Sequence, residues 1–191
     1  MEHKRSYYLV NAITLYRALA APLLLVFIFT GNELFKWFLA FSFFTDSIDG
    51  YLARKYKVAS VAGSKLDSIA DDLTIVVAVT GAFVLKPEFM NGQLALLISL
   101  FALFFSQVVM ALVRYGKVSS FHTYLAKAAA LLQGSFLILL FFLEEPPALL
   151  FYIAAVVTAL DLAEEMILVL LLSRWQADVK GLYWVLKGKK K

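Results

Sequence analysis

Residues 46–71 read Asp46-Ser-Ile-Asp49-Gly50-Tyr-Leu-Ala53-Arg54, then eight residues, then Gly63-Ser-Lys-Leu-Asp67-Ser-Ile-Ala-Asp71. Four carboxylates lie here within otherwise apolar sequence, where an unpaired charge is costly. The first two are three residues apart and the last two are four apart, so on helices each pair shares one face. Divalent cations between two such acidic stripes are the simplest explanation for them.

The composition around this stretch requires a membrane. Hydrophobic residues make up 62% of the 191 residues, and the mean hydropathy is +0.79, so lipid must be the solvent for much of the chain. The length fits one domain, residues 1–191. Cysteine is absent, which excludes disulfides and thiolate metal sites. The N-terminal span lacks a small-residue cleavage site and is expected to stay in the protein.

Six apolar stretches are long enough to cross a bilayer, which takes roughly 20 residues. They are separated by turn-forming or acidic residues such as Gly31-Asn32, Pro87-Glu88 and Glu144-Glu145-Pro146-Pro147. The stretches are 8–30, 33–56, 64–86, 90–114, 122–143 and 148–173. We therefore predict an all-α integral membrane protein with six transmembrane helices.

The basic residues predict the orientation. Apart from Arg17 inside the first span, 15 of the 18 Lys and Arg residues would lie on one face and only Lys36 and Lys86 on the other. The positive-inside rule then places both termini and the loops near 57–63 and 115–121 in the cytoplasm, with a prokaryotic cytoplasmic membrane expected. The net charge of +4 follows from this sidedness, and no nucleic-acid partner is expected.

The depth of the four acids predicts where the site opens. Asp46 and Asp49 lie below the cytoplasmic end of the second span, and Asp67 and Asp71 lie below the start of the third. At a rise of 1.5 Å per residue, the two depths overlap at roughly 6 to 16 Å. Charges at that depth need water, metal or partners, so we expect six helices around a polar cavity that faces the cytoplasm.

The stretch 46–71 matches the signature D-x-x-D-G-x-x-A-R-x8-G-x-x-x-D-x-x-x-D and thereby resembles the CDP-alcohol phosphotransferases. The opening Asn11-Ala-Ile-Thr14-Leu-Tyr-Arg17, followed by Pro22, is similar to the first helix of prokaryotic members, most of all phosphatidylglycerophosphate synthases. The resemblance implies transfer of the phosphatidyl group of a CDP-alcohol, usually CDP-diacylglycerol, to an acceptor alcohol with release of CMP. It also implies a homodimer among membrane lipids.

The resemblance also implies roles for the residues of the motif. Two Mg²⁺ or Mn²⁺ ions would suit its oxygen ligands, and they would be held by Asp46, Asp49, Asp67 and Asp71. Asp71 would also take the acceptor proton as general base. The CDP-alcohol would be bound by Asn11, Thr14, Gly50, Ala53, Arg54 and Gly63. Glycines let backbone approach a nucleotide closely, and arginine can fork onto a phosphate.

The basic residues near the predicted mouth favour an anionic acceptor. The candidate acceptor ligands are Arg17, Arg114, Lys117 and Lys127. Glycerol 3-phosphate is the first choice, ahead of inositol phosphate, serine or another alcohol. One departure is that Ser106-Gln107 stands where phosphatidylglycerophosphate synthases often have an Arg–acid pair.

Several alternatives stay open from the sequence. Arg17 could instead form an ion pair with the sixth helix, where the roles of Asp161, Glu164 and Glu165 are undecided. A divalent-cation transporter would use the aspartates for permeation, but the outer halves of spans two and three carry no acid. A purely structural membrane protein leaves the buried acids unexplained.

Overall fold

The computed structural model describes residues 2–56 and 61–188, with side chains for 12–46, 48, 66 and 69–187. Every regular element in these ranges is a helix, which confirms the all-α prediction for them. The helices are α1 (Glu2–Thr30), α2 (Leu34–Tyr56), α3 (Val61–Leu85), α4 (Pro87–Gly92), α5 (Leu94–Tyr115), α6 (Tyr124–Phe142), α7 (Ala148–Leu171) and α8 (Leu182–Gly188).

The helix ends follow from local chemistry. Gly31 adopts a φ of +65°, which glycine reaches without strain, and Asn32 N–H donates to Phe27 O at 2.9 Å to close α1. The Asn32 side chain then accepts from Leu34 N–H at 2.9 Å and opens α2. Gly116, with a φ of +66°, ends α5 in the same left-handed way.

The six long helices overlap the six predicted segments, with two differences. The fourth segment was predicted to begin at residue 90, but the structure has the short helix α4 and a break at Gln93 before α5 begins. The C-terminal helix α8 was not predicted. Three helices are long and apolar enough to cross a membrane, within Ala12–Thr30, Leu94–Tyr115 and Tyr124–Phe142, as judged over the described residues. Six crossings and the cytoplasm-facing cavity stay predictions.

The chain forms two compact units. Unit 1 comprises residues 1–91 and 140–144, and unit 2 comprises residues 92–139 and 145–191. Each unit is described by itself below. The single membrane domain over residues 1–191 stays a prediction.

In unit 1, α1 packs against both α2 and α3. Small residues at the contacts, such as Ala21 and Ala78, are almost fully buried and let the helices approach closely. Gly81 is required for the same reason, because a Cβ there would lie 2.6 Å from the Phe35 ring. At one end of unit 1, Lys86 Nζ donates to the carbonyls of Leu143 (3.2 Å) and Glu144 (3.0 Å).

In unit 2, α5 packs against α7, and two irregular segments cover one end of the pair. We call residues 116–123 and 172–181 the cap. Its segments are joined by a bond from Asp178 N–H to Ser120 O at 3.1 Å and by one from Trp175 Nε1 to Val118 O at 3.0 Å. A buried cluster that includes Phe121 and Val179 fastens the cap to the helices. The cap therefore has a defined conformation without regular structure.

Candidate active site

Three helices of unit 1 bring the two halves of the acidic motif together. Asp46 lies on α2, Asp71 lies on α3, and Arg17 lies on α1 between them. A single nitrogen, Arg17 Nη1, donates to Oδ1 of Asp46 and to Oδ1 of Asp71, the latter at 2.6 Å. The two carboxylates therefore converge, although they are 25 residues apart in the sequence.

Burial differs between the cation and its partners. The Arg17 side chain is 1% exposed, whereas those of Asp46 and Asp71 are 41% and 43% exposed. A buried guanidinium is stable only with anionic partners, so Arg17 ties both acids to the core of unit 1. Much of each carboxylate surface nevertheless stays accessible.

Two buried threonines that are close to Asp46 and Asp71 in the sequence use their hydroxyl protons within their own helices. Thr74 Oγ1 donates to Ala70 O at 2.8 Å, and Thr45 Oγ1 donates to Phe41 O at 2.9 Å. Both hydroxyls are therefore committed to backbone carbonyls. Thr14, predicted to contact the CDP-alcohol, is 2% exposed and lies one turn before Arg17 on the same face of α1.

Much of the predicted site lies outside the described side chains. This holds for the predicted metal ligands Asp49 and Asp67, and for the predicted CDP-alcohol contacts, which are Asn11, Gly50, Ala53, Arg54 and Gly63. Over the side chains that are described, no group of three or more His, Asp or Glu residues could hold a metal ion. The four-aspartate metal site therefore stays a prediction, of which the structure describes two members.

The three basic residues of unit 2 that were predicted to bind the acceptor have contacts of their own. Arg114 donates from Nε to Leu172 O and from Nη2 to Leu170 O, each at 3.2 Å. It thereby caps the C-terminal carbonyls of α7. Lys117 Nζ lies 5.4 Å from the centre of the Trp175 ring, and Lys127 Nζ lies 5.5 Å from that of Tyr124. Their acceptor contacts stay predictions.

The structure also gives partners to the acids of α7, whose roles the sequence left open. Glu165 Oε2 accepts from Gln107 Nε2 at 2.7 Å and from Ser119 Oγ at 3.0 Å. Thr123 Oγ1 donates to Asp161 Oδ1 at 3.2 Å. These contacts hold the cap onto α5 and α7. Gln107 stands at the departure from phosphatidylglycerophosphate synthases noted above.

Glu164 completes this second acidic group. Its Oε1 accepts the Leu182 N–H at 2.8 Å, so it anchors the first turn of α8. Its Oε2 is buried and has no hydrogen-bond partner within the described ranges. The four-residue spacing of Asp161 and Glu165 places these two acids on one face of α7. The neutral partners of the three acids come from distant segments and carry no sequence signal.

Comparison with known proteins agrees with the motif. The family model for CDP-alcohol phosphatidyltransferases matches residues 7–171. The chain belongs to this family. The match begins within α1 and extends to the end of α7, so it includes Arg17, Asp46 and Asp71.

Individual relatives match over shorter stretches. The chain is 40% identical over 73 residues to a CDP-diacylglycerol–glycerol-3-phosphate 3-phosphatidyltransferase of Cereibacter sphaeroides, which is 36% of this chain and 33% of that protein. The enzyme with the same name from Rickettsia typhi is 34% identical over 71 residues, 35% of this chain and 40% of its own length.

A third relative is a fusion protein of Schizosaccharomyces pombe named as a CMP-forming cardiolipin synthase and mitochondrial hydrolase. It is 40% identical over 77 residues, 37% of this chain and 13% of the fusion protein. The matches thus span less than half the length of each of these relatives. No solved structure matches the chain.

Proposed function

We propose that this protein is a membrane enzyme of phospholipid biosynthesis that transfers the phosphatidyl group of CDP-diacylglycerol to an acceptor alcohol and releases CMP. The observation that carries the proposal is the convergence of Asp46 and Asp71 on one nitrogen of Arg17. It supports the view that the two halves of the family motif act as one site. The family membership supports the reaction class.

The proposed step is a displacement at phosphorus. The acceptor hydroxyl oxygen forms a bond to the lipid-bearing phosphorus, the bond from that phosphorus to the oxygen of CMP breaks, and CMP leaves with the electron pair. Asp71 takes the proton of the attacking hydroxyl, a role for which its carboxylate must lie within hydrogen-bond reach. The 43% exposure of that side chain leaves it open to a substrate.

Asp46, Asp49, Asp67 and Asp71 would hold two Mg²⁺ or Mn²⁺ ions. The described half of this set fits, because two oxygen ligands converge on one positive nitrogen, and carboxylate oxygens are the ligands that these ions prefer. When bound, the ions would neutralise the pyrophosphate of the CDP-alcohol. Arg17 must then share its two carboxylates with metal, so we assign it to positioning these acids.

Glycerol 3-phosphate is the proposed acceptor. Two of the bacterial relatives are named for that acceptor, and basic residues are frequent in the loops of unit 2. Inositol phosphate, serine or another alcohol are the alternatives. The enzyme is proposed to be a homodimer with both termini and the active site on the cytoplasmic side.

The test is CMP release from CDP-diacylglycerol by the full chain in detergent, with a panel of acceptors and with or without a chelator. We expect release with glycerol 3-phosphate and Mg²⁺ or Mn²⁺, and loss of release with the chelator. Equal release with glycerol and serine would reject the anionic acceptor. Absence of CMP release with every alcohol would reject the transferase and favour the transporter.

A further inference from the structure

The cap of unit 2 contains a small pocket outside the acidic motif. It is about 180 Å³ in volume and is lined by His122, Tyr124, Lys127, Asp178 and Lys180. These residues come from both segments of the cap and from the first turn of α6. A bond from Tyr124 N–H to Lys180 O at 3.2 Å joins the two sides of the pocket.

The charges of the lining favour an anion. The lining contains two lysines and one carboxylate, that of Asp178, together with His122, whose Nε2 lies 3.2 Å from Ser120 Oγ. No ion pair within 4.0 Å involves Lys127, Lys180 or Asp178 among the residues that the structure places. Lys127 lies over the Tyr124 ring, which leaves its ammonium donors available.

The backbone of the pocket is held in an uncommon conformation. His122 has a φ of 52° and Asp178 a φ of 55°, and these are the two non-glycine residues with positive φ found in the described ranges. Aspartate and histidine adopt positive φ more readily than most residues, and such conformations are frequent at ligand-binding sites. Here the bond from Asp178 N–H to Ser120 O, at 3.1 Å, constrains the backbone.

The pocket also lies at the start of α6. Tyr124 is the first residue of this 19-residue helix, and Thr123 Oγ1 accepts the Ala126 N–H at 3.0 Å as its cap. The N-terminal end of a helix carries partial positive charge and favours phosphate. The helix end and the lysines therefore act in the same direction.

We propose that this pocket binds a phosphorylated polyol, with Lys127, Lys180 and His122 holding the phosphate and Asp178 accepting a hydroxyl proton. A phosphate alone would meet repulsion from Asp178, whereas a neighbouring hydroxyl turns that carboxylate into a partner. The same chemistry occurs in a free phosphorylated alcohol and in the headgroup of an anionic lipid such as phosphatidylglycerol.

As a site for the acceptor, the pocket rests on the proposed function, but its binding of phosphate does not. The experiment therefore measures binding and CMP release separately. Protein that releases CMP without binding ligand in the pocket would refute this inference and leave the function standing. Protein that binds ligand in the pocket and never releases CMP would support this inference and refute the proposed function.

Binding of glycerol 3-phosphate and inorganic phosphate to the full chain in neutral detergent is measured by calorimetry. A chelator is present so that metal at the motif contributes no phosphate binding. Lys127→Gln and Lys180→Gln are each expected to weaken binding by at least about tenfold, because each loses a charge-assisted hydrogen bond. Asp178→Asn, which tolerates positive φ, should abolish the preference for glycerol 3-phosphate over phosphate.

Lys187→Gln is the matched control, because Lys187 lies on α8, contacts the Tyr183 ring and does not line the pocket. It removes the same charge and should change affinity less than about twofold. If Lys127→Gln, Lys180→Gln and Lys187→Gln all weakened binding equally, the affinity would come from general electrostatic attraction, and binding in the pocket would be refuted. A preference for glycerol 3-phosphate that survives in Asp178→Asn would overturn the polyol assignment.

Native mass spectrometry distinguishes the lipid source. If the pocket holds a headgroup, phosphatidylglycerol stays bound in preference to phosphatidylcholine, and Lys180→Gln loses that preference while Lys187→Gln keeps it. If the pocket holds a free phosphorylated alcohol, calorimetry shows the binding. The unmodified protein, Lys180→Gln and Lys187→Gln then retain phosphatidylglycerol equally. Absence of both signals would refute the proposal.

Discussion

Asp46 and Asp71 of unit 1 contact a charged guanidinium, whereas the acids of α7 in unit 2 contact hydroxyl, amide and peptide donors within the described residues. Asp46 and Asp71 are also about two-fifths exposed, while Asp161 is buried. Neutral donors fix a carboxylate in one arrangement without adding charge. Asp46 and Asp71 share one cation, Arg17, and stay partly exposed. Metal or substrate could therefore bind to the same two carboxylates. The comparison predicts that Asp46 and Asp71 bind metal or substrate, and that the acids of α7 hold the fold.

The largest expected effect is on catalysis at the first group. Asp46→Asn should reduce CMP release by about 10²–10⁴-fold, because loss of a metal ligand would remove charge stabilisation worth several kcal/mol. Asp72→Asn is the control, since Asp72 is exposed on α3 and lies outside the signature. Small and equal losses of CMP release in both variants would contradict a special role for Asp46 in the reaction.

Arg17→Gln tests whether the acids of unit 1 can exchange partners. It should lower the free energy of unfolding by about 2–3 kcal/mol, less than for a fully buried pair because the carboxylates are partly exposed. Thermal unfolding in detergent would measure this. The loss should be larger with a chelator than with Mn²⁺, which can replace the missing charge. An identical loss in both conditions would show that metal and Arg17 do not share these carboxylates.

Glu165→Leu tests whether the second group is structural. Leucine leaves Gln107 and Ser119 without their carboxylate acceptor, which should cost about 1–2 kcal/mol of stability. Glu165→Gln keeps an acceptor oxygen and should cost less. CMP release per folded molecule should stay near that of the unmodified protein in both variants. A loss of release comparable with that of Asp46→Asn would place Glu165 in the reaction.

Gly181→Ala gives the smallest expected effect, about 1 kcal/mol. Its φ is +142°, and an added Cβ would lie 3.1 Å from Glu164 Oε1, beside the bond that holds α8. Gly134→Ala is the control, because Gly134 lies inside α6 with open space around it, and alanine favours a helix. The melting temperature should fall for the first variant and hold or rise for the second.

The sequence predicted the long helices well because their signal is local. Apolar runs of membrane length ended at residues such as Gly31 and Pro147, and the structure places helix ends there. The cap was not predicted, because its order comes from bonds such as Trp175 Nε1 to Val118 O, between residues 57 positions apart. Short irregular segments with tertiary partners leave no periodic pattern.

The sequence also predicted one feature of the candidate site that the structure describes. The spacing of the motif predicted that Asp46 and Asp71 face one another, and both contact the same nitrogen. The partner of Arg17 was left between a phosphate and the sixth helix, and in the structure this side chain contacts the motif acids. The Arg114 guanidinium donates to carbonyls of α7, contacts that the sequence did not predict. The predicted roles of both arginines in acceptor binding stay predictions. The sequence identifies such cations but not the atoms to which they donate hydrogen bonds.

The contacts of Lys86 bear on how a cation is accommodated at the predicted outer face. Lys86 and Lys36 are the two cations on the predicted outer face, and each has a local polar partner. Lys86 Nζ donates to the carbonyls of Leu143 and Glu144, just after α6, and Lys36 Nζ lies 2.9 Å from Glu33 Oε2. These contacts hold both ammonium groups beside polar atoms, so neither has to enter an apolar environment alone in the folded protein. The positive-inside rule counts Lys and Arg and gives little weight to such partners, so the predicted topology depends on the asymmetry of 15 to 2 itself.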